Sequence, residues 1–461
     1  MQKENSDFLQ QLQILYNETS LFLDPADCWS YGYDNSRRHR QPIAVVFPST
    51  HQQIADTVKL CNEYKVAITP RGSGTGTTGA SVPPINAIVL STEQMDKIIK
   101  VDPNNRVMVV EPGVTNQAVQ QAAAEHGFFW PPDPTSSAIC TIGGNLAYNS
   151  AGPRAVKYGT PRENTLGLTC IIGTGETLKT GAYTTKSVVG YDLTRLIIGS
   201  EGTLAIITQA TLKLTPIAET KRTIQATYQS VDSAAKAIAN IMAQPVTPCA
   251  LEFMDDMAIA LVKEKAQLEL PENAQALLMI EVDGDLYGIE KLAEKLAQSA
   301  SVDGLIDVHI AKTELQVKQL WQARKALSPS LRKVAPKKIN EDVVVPVSEI
   351  PALISGLQTL SRQYQIPIVN FGHAGNGNIH VNLLVQTEQL DIAKACLADV
   401  FALVMKLNGS LSGEHGIGLE KRDYIGLELD STAIAIMKKI KAQFDPANLL
   451  NPDKVFPVSD T

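Results

Sequence analysis

At 461 residues the chain is longer than one hydrophobic core usually organises, so two or three domains are expected. A composition of 44% hydrophobic and 19% charged residues is ordinary for a globular protein, and a net charge of −7 gives no reason to expect nucleic acid or an anionic membrane as partner. No apolar run approaches the roughly 18 residues a membrane-spanning helix needs, and Met1–Ser6 opens neither a signal peptide nor an arginine-rich transit peptide. Six scattered cysteines (Cys28, Cys61, Cys140, Cys170, Cys249, Cys396), with no Cys-x-x-Cys pair, read as reduced thiols of a cytoplasmic protein; peripheral association with the inner face of a membrane stays open.

Along the chain, Ala44–Phe47 reads as a strand and Ser49 to Tyr64 as a helix, capped by Ser49 or Thr50, with Ile54, Val58 and Cys61 on one face. Val66–Pro70, Ala87–Leu90 and Arg106–Val110 read as further short strands buried on both faces. Leu166 to Leu214 is mostly strand, and the composition shifts after Pro216. Ser230 to Met242 is an alanine-rich helix, Ala276–Val282 a strand, and Ile289 to Ser299 and Leu390 to Leu407 helices. That alternation predicts an antiparallel sheet with helices on one face over about 217–410. A last helix runs from Ala433 to Phe444.

Gly74-Thr75-Gly76-Thr77-Thr78-Gly79 matches the dinucleotide fingerprint G-x-G-x-x-G in form only, because Pro83 and Pro84 follow too soon for a helix to open there. Arg71-Gly72-Ser73-Gly74-Thr75-Gly76 can instead wrap backbone N–H groups around a pyrophosphate, or serve as a plain connector. A second glycine-dense stretch, Cys140 to Asn145, favours a long phosphate-bearing cofactor.

Asn370 to Asn382 reads as a hairpin. Asn376-Gly377 suits a two-residue type I′ turn, which would set His373 directly opposite His380. Facing imidazoles at about 4.5–5.5 Å between Cβ atoms can converge on one metal ion. Gly413-Glu414-His415-Gly416-Ile417-Gly418 adds a carboxylate and a third imidazole.

Pro70–Gly76, Pro132-Asp133-Pro134, Thr141–Asn145 and Gly199–Leu204 resemble the FAD-binding half of the vanillyl-alcohol-oxidase flavoprotein superfamily. The His373–His380 hairpin, Ser412–Gly418 and Asn451–Pro457 resemble the FAD-linked D-2-hydroxyacid dehydrogenases: D-lactate dehydrogenases, the D subunit of glycolate oxidase and D-2-hydroxyglutarate dehydrogenases. The resemblance runs from about Pro42 to Pro457. It implies an α+β protein: a two-subdomain FAD-binding domain (1–216), a cap of antiparallel sheet plus helices over the substrate (217–410), and a C-terminal segment (411–461) returning to the first domain. It implies that FAD is held by Arg71, Gly72, Ser73, Gly74, Thr75, Gly76, Pro132, Thr141, Gly144, Asn145, Ile206 and Asn451. His373, His380 and Glu414 match the ligands of a divalent metal, usually zinc, and His415 matches the catalytic base. Arg324 matches the arginine that clamps the substrate carboxylate, with Asn378 and Asn382 lining the pocket.

Two departures from the family pattern stand out. The family hairpin usually carries Asp where this chain has Asn376, a loss of charge at the hairpin tip that matters little for ligation. In hydroxyglutarate-type members a Lys lies a few residues before a strand ending in Pro; here that stretch reads Ile339 to Pro346 with no Lys at the matching spacing, and Glu341 and Asp342 make a second substrate carboxylate less welcome. The expected reaction is therefore oxidation of D-lactate or glycolate to the 2-oxo acid. D-2-hydroxyglutarate is the alternative within the family, a zinc hydrolase the rival of another class, and an FAD-binding but redox-inactive subunit a third. The acceptor of the flavin's electrons (quinone, cytochrome, electron-transfer flavoprotein or oxygen) and the oligomeric state carry no sequence signature.

Overall fold

A computed structural model describes residues 2–266, 270–331 and 333–457. The chain divides into two compact units: Met1–Ala151 with Gly159–Ile217 and Glu414–Thr461, and Gly152–Tyr158 with Ala218–Gly413. The sequence places one boundary near Pro216 and another near residue 410, but gives no sign that Gly152–Tyr158 leaves the first unit for the second.

The first unit holds two principal sheets. One is four-stranded, with Ala44–Val46 and Ile68–Arg71 flanking Ile88–Ser91 in parallel. Two helices pack on it. His51–Tyr64 begins where the Thr50 hydroxyl accepts from the Gln53 N–H and buries Ile54, Val58 and Cys61 against Ile68, Ile88 and Leu90, as its periodicity requires. Gln2–Leu15 adds Phe8 and Leu12 to the same core. The other sheet is antiparallel and five-stranded, with Ala205–Lys213 at its centre between Val107–Val110 and Thr165–Ile172. Its core closes on Trp130, whose indole N–H donates to the Asn164 carbonyl. The C-terminal segment belongs to the four-stranded sheet: Ile68 donates to the Leu449 carbonyl and Asn451 to the Ile68 carbonyl.

The second unit is built on a seven-stranded antiparallel sheet: β1 (Thr220–Tyr228), β2 (Ala250–Asp255), β3 (Ala276–Gly284), β4 (Leu305–Ile310), β5 (Lys337–Val344), β6 (Ile368–His373) and β7 (Asn378–Val385), in the order β4-β1-β3-β2-β6-β7-β5. Helices cover both faces, not one as the sequence suggested. Tyr228 reaches from β1 to the Ala300 carbonyl of helix Ile289–Ala300 on one side. On the other, Ala258, Ile259 and Val262 of one helix and Leu320, Ala323 and Leu327 of helix Glu314–Leu331 pack on Met254, Met279 and Phe371. Each buried Val, Leu, Ile, Met or Phe among them contributes about 1.5–3 kcal/mol by leaving water. Sequence periodicity misses this second layer because the Glu314–Leu331 helix carries Arg324 within its buried stripe.

The hairpin differs from the expected one in register. His373 pairs with Asn378, and His380 with Phe371. Ala374–Asn376 forms a 3₁₀ turn and Gly377 alone takes φ +73°, so the connection has four residues rather than two. A Cβ at Gly377 would lie 1.8 Å from the Val345 carbonyl oxygen; the β5 extension presses on the tip, and only glycine tolerates both the contact and the left-handed φ. Since the slip is even-numbered, both histidines keep the same face of the sheet.

Candidate functional site

That face carries a polar row. Glu252 of β2 lies opposite His373, Phe371 opposite His380, and His380 opposite Asp342 of β5. The imidazoles of His373 and His380 are therefore diagonal neighbours, with ring centroids 5.3 Å apart and planes at 80°. Glu252 is wholly buried and uses both oxygens: Oε1 accepts from His373 Nδ1 at 2.6 Å, and Oε2 accepts from Arg324 Nε. Burial raises the Glu252 carboxyl, but the facing His373 and Arg324 outweigh it and hold it down to about 2. The Arg324 guanidinium lies 4.9 Å over the Phe371 ring. Asp342, also fully buried, accepts from the Gly413 N–H at 2.8 Å and the Ser412 hydroxyl at 3.0 Å.

Asn378 and Asn382 lie on this face with their amides engaged by backbone. Asn378 Nδ2 donates to the Val343 carbonyl, and Asn382 Nδ2 to those of Val369 and His380. Three further lysines on this side have partners: Lys157 with Asp283, Lys221 with Glu281 at 3.2 Å, and Lys338, on the same face of β5 as Asp342, with the Ser328 hydroxyl at 3.0 Å.

The chain leaves the second unit at Gly413, and Glu414 is the next residue. One donor atom each from His373, His380 and Glu414 lie within 4.8 Å of one another. Two imidazoles and a carboxylate are the donor set of a catalytic rather than structural zinc, with open positions left over. With His373 Nδ1 facing Glu252, its Nε2 is the nitrogen available to a metal. The donor set fits a divalent ion.

In the first unit, His415 sits on a turn held from three directions. Thr78 Oγ1 donates to the His415 carbonyl, and the Ile417 and Gly418 N–H groups both donate to the buried Glu201 carboxylate. Gly416 has φ +80°, and a Cβ there would lie 2.7 Å from Glu201 Oε1. Glu201 itself (φ +53°), Asn451 (φ +43°) and Val455 (φ +68°) hold left-handed backbone around these contacts: Val455 donates its N–H to the Gly418 carbonyl, and Asn451 Nδ2 donates to the Glu201 and Ala80 carbonyls. Burial pushes the Glu201 carboxyl from 4.5 up to about 7. Between those two values the folded chain holds a proton that the unfolded chain has released, so Glu201 lowers stability as pH rises through that window. We expect the urea midpoint to fall between pH 5 and pH 8 more in the wild type than in Glu201→Gln; equal falls would show that this carboxyl does not titrate there.

The glycine-rich loop forms a cradle in the same unit. A Cβ at Gly72 would lie 2.2 Å from Thr141 Oγ1, and one at Gly76 would lie 2.4 Å from Tyr148 Oη, so the backbone runs against the Ile142–Tyr148 helix without room for side chains. Thr141 caps that helix, accepting from the Gly144 N–H; Asn145 is buried, bonded to Asn116 and Cys140. Asn116 also donates to the Pro132 carbonyl. Ser73 Oγ donates to the Ile139 carbonyl, Asn35 donates to the carbonyls of Thr75 and Gly76, and a Cβ at Gly74 would run into the Arg71 guanidinium. Arg71 Nε, Thr77 Oγ1 and Asn451 Oδ1 are buried with no hydrogen-bond partner among the described residues. A bare loop lined by such polar atoms fits a phosphate-bearing cofactor. Ile206 is different: its side chain lies in the core with Ile68, Leu90 and Leu450, so any part it plays toward the cofactor falls to its backbone.

Glu252 and Glu201 escape a sequence reading. Glu252 sits in the apolar run Ala250-Leu251-Glu252-Phe253-Met254, and a lone carboxylate in such a run signals a buried partner without naming it.

Residues 217–455 match the family described as FAD linked oxidases, C-terminal domain, and residues 42–181 match the FAD binding domain. The glycolate oxidase subunit GlcD of Bacillus subtilis (strain 168) is 37% identical over 430 residues, covering 92% of each chain. A D-lactate dehydrogenase of Anaerostipes hadrus is 33% identical (90% of each chain), and a D-2-hydroxyglutarate dehydrogenase of Xanthomonas citri pv. viticola is 34% identical (95% of this chain, 94% of that one). The solved structure of p-cresol methylhydroxylase with substrate bound shares the fold, with TM-score 0.81 at 16% identity, covering 100% of this chain and 98% of that one. The chain belongs to the FAD-linked oxidases, the family of these glycolate oxidase, D-lactate dehydrogenase and D-2-hydroxyglutarate dehydrogenase relatives.

Proposed function

We propose that the protein is a metal-assisted, FAD-dependent dehydrogenase that oxidises D-lactate or glycolate to the 2-oxo acid. The observation that carries this reading is the polar row: Arg324 stands beside a histidine pair, while Lys157 and Lys221 are each tied to a carboxylate. One unspent guanidinium edge suits a substrate with one carboxylate, and buried Asp342 on the same face repels a second. This favours a monocarboxylate over D-2-hydroxyglutarate.

In this reading His373, His380 and Glu414 hold a divalent ion, zinc by the character of its donors, and FAD takes the glycine-loop cradle. When bound, the metal supplies a Lewis acid at the substrate hydroxyl and the flavin a two-electron acceptor for the C2 hydrogen. Arg324 receives the carboxylate on its two Nη groups, since Nε is committed to Glu252, and so fixes which face of C2 is presented. His415 accepts the hydroxyl proton as general base. Electrons taken up by a bound flavin would leave to a separate acceptor: a quinone, a cytochrome or an electron-transfer flavoprotein. No helix among the described residues is long and apolar enough to cross a membrane, and all six cysteines are buried free thiols; both accord with a cytoplasmic enzyme or one resting on the inner membrane face.

The test is an anaerobic visible spectrum of the holoprotein. D-lactate and glycolate are expected to bleach the flavin, and L-lactate to leave it oxidised. Bleaching by D-2-hydroxyglutarate alone would move the substrate to the dicarboxylate. A flavin that none of these reduces would sink the reading.

A further inference from the structure

We propose that Glu252 is a positioning residue that couples the two halves of substrate binding, fixing the metal ligand His373 with one oxygen and the carboxylate clamp Arg324 with the other. The inference rests on the function proposed above and adds to it a residue that the metal-ligand and substrate motifs do not contain. Its geometry is specific. Glu252 lies directly opposite His373 on paired strands, so β2 and β6 fix the separation of carboxylate and imidazole. The Glu314–Leu331 helix brings Arg324 down onto the other oxygen, and Phe371 lies beneath the guanidinium. The carboxylate side chain is fully buried, so water does not replace either partner.

Three consequences follow from this sharing. His373 donates from Nδ1 and is thereby fixed in the tautomer whose Nε2 lone pair can face a metal. Arg324 gives up Nε to Glu252, which fixes the guanidinium over the Phe371 ring and leaves the carboxylate of a substrate to its two Nη groups. Losing the Glu252 charge alone would strengthen the pull of Arg324 on a carboxylate, so a weaker grip reads the loss of the fixed orientation that Glu252 gives the guanidinium. Metal retention and carboxylate affinity should therefore fall together when Glu252 changes.

A glutamine at 252 offers one accepting oxygen and one donating NH₂, so it can satisfy His373 or Arg324 but not both. For Glu252→Gln, with FAD bound, we expect the dissociation constant for zinc, read by chelator competition, to rise about 10–100-fold. We expect the dissociation constant for oxamate, read from the flavin spectrum at saturating zinc, to rise at least about 10-fold, as for loss of one charge-assisted contact. Glu252→Asp keeps the buried charge and draws it back by one methylene, so it should fold even if Glu252→Gln does not, and should show both losses to a smaller degree. Asp255→Asn alters a buried carboxylate on the opposite face of β2, which accepts from the Ala258 and Asn370 N–H groups, and should leave both constants within about twofold, the scatter expected of an uncoupled site. Loss of zinc affinity with oxamate affinity intact, or neither loss, would overturn the coupling while leaving the proposed reaction standing. A wild type that binds no stoichiometric metal would instead overturn that reaction and this inference with it.

Discussion

His373→Ala and His380→Ala should each strip the proposed metal from the protein and take turnover with it. A Lewis acid at the substrate hydroxyl is worth several kcal/mol, and each 1.36 kcal/mol is tenfold, so kcat/KM should fall by about 10³–10⁵ in either variant. FAD should stay bound in both, because the glycine cradle, Thr141 and Asn451 all lie in the first unit. Removing the His373 ring also leaves the buried Glu252 Oε1 without its donor, which costs about 1–3 kcal/mol, so the thermal midpoint of His373→Ala should fall below that of the wild type. The measurements are metal content by mass spectrometry, flavin absorbance and a melting curve. A His373→Ala protein that keeps zinc at wild-type stoichiometry would falsify its place among the ligands.

How much of this was legible in the sequence depends on the range of the interaction concerned. The glycine spacing at 413, 416 and 418 announces a tight turn because left-handed backbone is a local property, and Gly416 and Gly418 do take positive φ. The helices at His51–Tyr64 and Val231–Ala243 begin at Thr50 and Ser230, since a cap is read from a few neighbouring residues. The hairpin shows where locality fails. Asn376-Gly377 fits a two-residue turn by itself, but Val345 presses on Gly377, and Val156 and Leu251 crowd Gly375, so contacts distant in sequence select the longer loop. Glu252 is out of reach for the same reason: its partners are 72 and 121 residues away, and no spacing rule joins them. The excursion of Gly152–Tyr158 into the second unit, where Lys157 and Tyr158 bind Asp283, is likewise written in tertiary contacts alone.

His415→Ala should do the reverse of the metal-ligand variants, keeping zinc and FAD while losing the chemistry. In the proposed scheme His415 holds neither the metal nor the cofactor, so both ligands should remain at wild-type occupancy. Removing a positioned general base typically costs about 10²–10⁴ in rate, and that loss should appear in the anaerobic rate of flavin reduction by D-lactate. The dissociation constant for D-lactate, taken from the concentration dependence of that rate, should stay near the wild-type value because Arg324 and the metal are untouched. The turn itself provides a second handle. Gly416→Ala places a Cβ 2.7 Å from Glu201 Oε1 and forces a side chain into φ +80°, so the backbone carrying His415 must move. Rate loss of about 10²-fold or more is expected there as well, since a misplacement near 1 Å is worth that much. Undiminished flavin reduction in His415→Ala would remove the imidazole from the base role. A loss in Gly416→Ala alone would then assign the motif to holding the turn, and the proton would have to leave through another group.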